Sequence, residues 1–322
     1  MRAAVYDTTG PSQVLRITEV ERPEPGPGQV RVRVELSGVN PTDWKTRAGV
    51  TARPIDGFAI PNQDGSGVID AVGPGVDPSR IGERVWVWFA AVGQRWGTAA
   101  EWTVVPAGRA VPLPEGASFE LGASLGVPAL TAHRCLFADG PIDGQTVLVA
   151  GGAGAVGHFA IELAKRAGAR VVTTVSSPEK ADLARAAGAD LVVNYRSEDP
   201  VARIREFTPA VDRVVEVALG ANLALDLEVA APLAPIVCYA ASGDDPVVPV
   251  RAMMSKNLLL RFVILYGVPE PDLARAVSEV GAALAEGRLS ELPNRRYALA
   301  DTAAAHDAVE HGFVGKVLVE PA

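Results

Sequence analysis

Residues 147–157, VLVAGGAGAVG, constrain this chain more tightly than any other segment. Gly152, Gly154 and Gly157 follow the spacing G-x-G-x-x-G. They come straight after an apolar run that reads as a strand (residues 145–150) and straight before helical spacing over residues 158–167. In such a turn the first glycine allows a tight reversal, the second lets backbone approach a pyrophosphate, and the third lets helix and strand pack closely. The helix that follows offers free N–H groups and a positive dipole end to phosphates. A glycine triplet alone is weak evidence. Here a further strand, residues 170–175, completes the strand–turn–helix–strand context that the fingerprint requires. Gly152, Ala153, Gly154, Ala155, Val156 and Gly157 therefore read as a dinucleotide-binding turn rather than a merely structural one.

The same alternation continues. A helix over residues 178–187 is closed by Gly188, strands follow at 191–194, 211–217 and 236–239, and helical spacing returns over 273–286. Apolar strands alternating with helices imply βαβ units and a parallel, doubly wound sheet. Before about Pro114 the pattern differs. Residues 30–36 alternate apolar and polar with period two, and 67–72, 84–89 and 101–105 are further strand candidates. Residues 317–319 form a short final strand expected to return to this first, β-rich part. The expected division is residues 1–118 plus 292–322 for the β-rich domain and 119–291 for the dinucleotide domain.

Cofactor choice follows from the second strand of the α/β series. A site for the unphosphorylated coenzyme usually carries Asp or Glu there to hold the ribose 2′-OH. This strand ends in Val175-Ser176-Ser177, with no acid. A carboxylate would repel a 2′-phosphate, whereas the hydroxyls of Ser176 and Ser177 can donate to one, and Lys180 lies one turn further on. NADPH is expected over NADH. Ser176 and Ser177 also suit the N-cap of a helix that starts at Pro178, and both roles are compatible.

Composition excludes other classes. The chain has 322 residues, a formal net charge of −8 and no Lys/Arg-rich run, so neither nucleic acid nor an anionic membrane is expected as partner. No stretch of about 18 apolar residues lacks charge. Cys135 and Cys238, far apart, make no disulfide framework, and MRAAVYDTTG has no apolar secretory run. A cytoplasmic setting is expected.

Five segments in order, GVNPTDWKTRAG (38–49), DGSGVIDAVGPGV (64–76), GERVWV (82–87), the glycine turn and GKVLVE (315–320), resemble the zeta-crystallin-type quinone oxidoreductases of the medium-chain dehydrogenase/reductase superfamily. The resemblance spans nearly the whole chain. It implies a Rossmann domain inserted in a GroES-like β-rich catalytic domain, an active site in the cleft between them, and a homodimer. Zinc-dependent relatives carry Cys where this chain has Asn40, and His–Glu where it has Gln63 and Asp64. Amides are poor Zn²⁺ ligands, so no metal is expected. The resemblance places Asn40 beside the nicotinamide ribose and substrate, with Asp43 and Lys45 following in the same loop. Lys45 stands where tyrosine is frequent. It would bind cofactor or polarise an oxyanion, or else be a surface or Asp43-paired lysine.

Thr131 matches a threonine that approaches the nicotinamide. His133 would be a proton donor or, with the greater weight, a structural histidine; His158 reads as packing or solvent-facing rather than catalytic. Tyr195 matches a contact to the adenosine 2′-phosphate. Tyr239, Ala240, Ala241 and Ser242, with Val263, Ile264 and Leu265, match contacts to the nicotinamide half. Some of the five tryptophans, Trp44, Trp86, Trp88, Trp96 and Trp102, would line an apolar acceptor pocket, and strand packing explains most of them equally well. The implied activity is NADPH-dependent hydride transfer to a quinone. The alternatives are an alkenal, enone or enoyl-thioester reductase, and a non-catalytic NADPH-binding protein of crystallin-like or RNA-binding kind.

Overall fold

A computed structural model describes residues 1–51, 54–241 and 245–321. It divides into two compact units, Met1–Val127 with Glu291–Ala322, and Pro128–Ser290.

The first unit opens with β1 (Arg2–Val5) paired antiparallel to β2 (Arg16–Glu19). Strand β3 (Gln29–Val39) follows, then helix α1 (Pro41–Ala48), β4 (Asp64–Val72), β5 (Arg84–Val87), β6 (Trp102–Pro106) and β7 (Ala110–Pro112). Val30, Val32 and Val34 of β3 are buried, as the period-two pattern requires. The strand runs past residue 36 because a C-terminal strand, introduced below, pairs with Gly38 and Val39. Asp43 and Lys45 lie in α1, not in a loop. Pro41 sits in the first turn, Asp43 reaches back to the Asn40 N–H at 2.7 Å, and Gly49 closes the helix with φ 88°.

Helix α2 (Phe119–Phe137) carries the chain out of this unit. The division expected after residue 118 falls within this helix, after Val127. Its first turns belong to the β-rich unit because they are bonded there. Ser66 Oγ donates to the Phe119 carbonyl at 2.6 Å, and the Val127 N–H donates to Asp64 at 2.9 Å.

The second unit runs β8 (Thr146–Ala150), α3 (Ala155–Arg166), β9 (Arg170–Val175), α4 (Pro178–Ala186), β10 (Leu191–Asn194), α5 (Pro200–Phe207), β11 (Arg213–Glu216), α6 (Leu219–Val229), β12 (Pro235–Cys238), α7 (Val250–Lys256), β13 (Leu259–Phe262) and α8 (Glu270–Ala285). Its six strands are all parallel, in the order β10-β9-β8-β11-β12-β13. This is the doubly wound order, and its direction reverses between β8 and β11. Leu148, Val172, Val214 and Ile236 form the buried centre of the sheet.

The chain then returns to the first unit through β14 (Asn294–Ala298), α9 (Thr302–Glu310) and β15 (Lys316–Glu320). Strand β15 lies between β14 and β3 in a seven-stranded sheet, which places the final strand in the first part of the chain as its sequence suggested. Among the described residues no helix is long and apolar enough to cross a membrane.

Candidate functional site

In the second unit the glycine turn sits at the carboxyl edge of the sheet, where the strand order reverses. The left-handed residue is Gly151, with φ 72°, rather than the first glycine of the spacing. Gly152 is needed for space instead, because a Cβ there would stand 2.2 Å from Thr173 Oγ1. At Gly157 a Cβ would meet the Gly151 carbonyl oxygen at 2.4 Å, so this glycine lets the helix approach the turn. Gly154 differs. It is exposed, and the nearest atom to its would-be Cβ is the Gly151 oxygen at 3.4 Å. The protein leaves that side open, as a backbone-hugging phosphate requires. Ala155 and Val156 begin α3, whose first N–H groups have no helical carbonyl to meet.

Beside this turn, at the end of β9, Lys180 Nζ donates to Ser176 Oγ at 2.9 Å. Ser177 caps α4, accepting from the Lys180 N–H at 3.3 Å. Residues 175–177 carry no carboxylate. Tyr195 follows β10, with its N–H on the Val175 carbonyl at 3.1 Å and its side chain exposed near the same strand end. Tyr239, Ala240 and Ala241 follow β12, and Val263, Ile264 and Leu265 follow β13, on the same carboxyl edge. Ser242 lies outside the described residues. The open glycine, the free helix N–H groups and the Lys180–Ser176 pair fit the phosphates of NADPH.

Thr131 is buried in α2. Two positions along, His133 bonds Glu279 of α8 at 2.7 Å, and burial pulls its imidazole below the usual value. Its Nδ1 is buried without a hydrogen-bond partner. His158 is also packed, against Ser290 and Glu162.

The first unit holds a buried polar cluster. Asn40 Nδ2 donates to Asp64 Oδ2 at 2.6 Å, and its Oδ1 accepts from Lys316 Nζ at 2.7 Å. Lys316 also stands 3.8 Å from Asp64 Oδ2. Asp43 accepts from the N–H groups of Asn40 at 2.7 Å and Gln63 at 3.1 Å. Burial, then the neighbouring Asp64, pushes the Asp43 carboxyl up to about 8, so it is mainly protonated at neutral pH. Burial raises Asp64 too, against the pull of Lys316, and lowers the Lys316 ammonium. A second chain of bonds runs from His306 through Asn62 and Ser37 to Thr98 at 2.9, 2.9 and 2.7 Å.

These residues do not suit a zinc ion. Two amides offer weak ligands, and an ammonium already occupies the cationic position beside Asp64. Among the described residues no group of three or more His, Cys, Asp or Glu is placed to hold a metal. A cavity of about 630 Å³ in the same unit is lined by Asp43, Gln63, Phe58, Ile60, Arg95 and Trp96. Phe58 and Trp96 meet edge to face at 5.8 Å. Of the tryptophans named above, Trp96 lines it, while Trp86 and Trp88 are core. Lys45 is half-buried, with Nζ 5.8 Å from the Trp44 ring centre. The sequence reading passed over Lys316. The one signal for it was its place in GKVLVE.

Family models for an alcohol dehydrogenase GroES-like domain and a zinc-binding dehydrogenase match residues 26–115 and 155–281. A quinone oxidoreductase of Pseudomonas aeruginosa is 32% identical over 307 residues, covering 92% of either chain. The chain belongs to the quinone oxidoreductase-like group of the medium-chain dehydrogenase/reductase superfamily. The Rattus norvegicus quinone oxidoreductase is 29% identical, with 99% of this chain and 97% of that protein covered. A mycobacterial protein solved with NADPH matches with TM-score 0.86 and 30% identity over 100% of both chains. An NAD-dependent alcohol dehydrogenase matches with TM-score 0.90 and 28% identity over 99% of both. Like its relatives this chain is an oxidoreductase, although among the described residues no donor set answers to the zinc in the second model's description.

Proposed function

We propose that this chain binds NADPH and transfers its hydride to a quinone. The observation that carries the choice of coenzyme is the Lys180–Ser176 pair, 2.9 Å apart, at a strand end without a carboxylate. The turn formed by Gly152, Ala153, Gly154, Ala155, Val156 and Gly157 takes the pyrophosphate, with Tyr195 and Ser177 beside the 2′-phosphate. Tyr239, Ala240, Ala241, Val263, Ile264 and Leu265 take the nicotinamide half. The mycobacterial and P. aeruginosa relatives support this reading.

Bound NADPH supplies the hydride. Asn40 and Thr131 orient the nicotinamide side, and Lys45 polarises the oxygen that gains negative charge. The aromatic wall of Phe58 and Trp96 suits a flat, apolar acceptor. The donor set of Asn40, Gln63, Asp64 and Lys316 sets zinc-dependent alcohol oxidation aside. Exposed Phe262 and Met254 suit a homodimer, and the cysteine content suits the cytoplasm.

The test is NADPH oxidation followed at 340 nm against 9,10-phenanthrenequinone, a 2-alkenal and an enoyl thioester. The quinone is expected to be the fastest acceptor. A faster alkenal or thioester would move the substrate class, and tight NADPH binding with no turnover would indicate a binding protein. Lys180→Ala is expected to weaken NADPH about tenfold, or ~1.4 kcal/mol, and to leave NADH unchanged. Equal effects on both coenzymes would remove Lys180 from the phosphate site.

A further inference from the structure

Lys316 enters the cluster from the far end of the chain. Its place is set by register, since Val317 pairs with Val39 and so brings the preceding residue beside Asn40. Gly38 makes room for the stem, because a Cβ there would stand 3.0 Å from Lys316 Cε and 2.0 Å from the Ala123 carbonyl oxygen. The ammonium is 2% exposed and Asp64 is fully buried. A lysine so deeply placed is costly unless something is gained by it.

Lys316 Nζ and Asp64 Oδ2 stand 3.8 Å apart, and the amide of Asn40 bonds both. Its Oδ1 faces Lys316 at 2.7 Å and its Nδ2 faces Asp64 at 2.6 Å. An asparagine side chain can turn over and exchange oxygen for nitrogen. Here that rotation would put NH₂ against an ammonium and a carbonyl oxygen against a carboxylate. Both contacts are repulsive, so the two charges select one orientation. One Nδ2 hydrogen serves Asp64, and the other keeps a single direction in which to donate.

We propose that Lys316 is the positioning residue of the Asn40 amide. The inference rests on the reading that Asn40 meets the nicotinamide side or the acceptor. The plainer role for Lys316 is to neutralise Asp64, and an experiment separates the two. Lys316→Met alone leaves a buried carboxylate unpaired and need not fold. Lys316→Met with Asp64→Asn removes both charges at similar volume, so a charge-balancing role is satisfied while the amide loses its clamp.

With the double variant folded, kcat against the best acceptor is expected to fall tenfold or more. Asn40→Ala is expected to cost about as much in the wild type, and to add less than threefold in the double variant. In the apo protein, the Asn40 side-chain ¹⁵N–¹H pair, assigned by its loss in Asn40→Ala, is expected to be well dispersed and to move toward free-amide shifts in the double variant. Wild-type turnover together with an unmoved Asn40 pair would overturn the proposal. Should the double variant fail to fold, the wild-type spectrum decides, because a freely averaging Asn40 amide contradicts a clamp. A wild type inactive with every acceptor would sink the functional reading, while the Asn40 spectrum would still judge Lys316.

Discussion

Gly154 and Gly157 stand three residues apart in one motif and answer to different constraints. A methyl group at Gly157 would strike backbone at 2.4 and 2.9 Å, so Gly157→Ala is a packing defect of about 1–3 kcal/mol. A methyl at Gly154 meets the protein only at an ordinary contact distance, 3.4 Å from the Gly151 oxygen, and the residue's φ of −78° suits any side chain. Gly154→Ala is therefore expected to keep its Tm within a few degrees and to lose NADPH affinity tenfold or more, about 1.4 kcal/mol by calorimetry. Unchanged affinity would move the pyrophosphate to another place.

Asp226 is a different case. It is fully buried, and burial with Glu216 beside it pushes its carboxyl up to about 9. The folded state then holds a proton that the unfolded chain releases above about pH 4. Its stabilising effect is whole below that pH and is lost as the pH climbs toward 9. Asp226→Asn cannot titrate, so its Tm is expected to fall less than the wild type's between pH 6 and 8.5. Parallel melting curves across that range would show that another group holds the proton.

Among elements, β15 has the largest effect for its length. Five residues close the gap between β14 and β3, and Val317, Leu318 and Val319 are buried to 1% or less. Leu318 packs against Leu36 and Ala123. Leu318→Ala is expected to cost about 3 kcal/mol, read from the urea midpoint, and a loss below about 1 kcal/mol would mean that the strand is not a core member. Helix α1 shows what local chemistry offered. Asn40, Pro41, Asp43 and Gly49 are cap, first turn, back-bonding acid and left-handed stop, and all four were readable in order. The eight-residue helix between them has too little apolar periodicity to announce itself, so the segment resembled a loop.

At the scale of the whole molecule, five of the six parallel strands were legible because each is short and apolar, whereas β13 was missed because it is an edge strand whose residues are half-buried or exposed. The returning strand was legible as a strand, although its partner had to be inferred. The site divides in the same way. Gly152, Gly154, Gly157, Ser176 and Lys180, the proposed phosphate contacts, stood out in the sequence, because each would act within some 30 residues of chain through backbone shape or local reach. Lys316 did not, because its meaning depends on Asn40 and Asp64, more than 250 residues away, and on the register that unites them. The division inside α2 was equally hidden, since a continuous helix gives no sign of where its packing partners change. Local spacing thus determined the α/β fold class and the expectation of NADPH, and it nominated the proposed phosphate-binding turn. The buried Asn40–Asp64–Lys316 cluster and the protonated Asp43 were decided by tertiary structure alone, because burial and the approach of distant charges exist only once the chain has closed on itself.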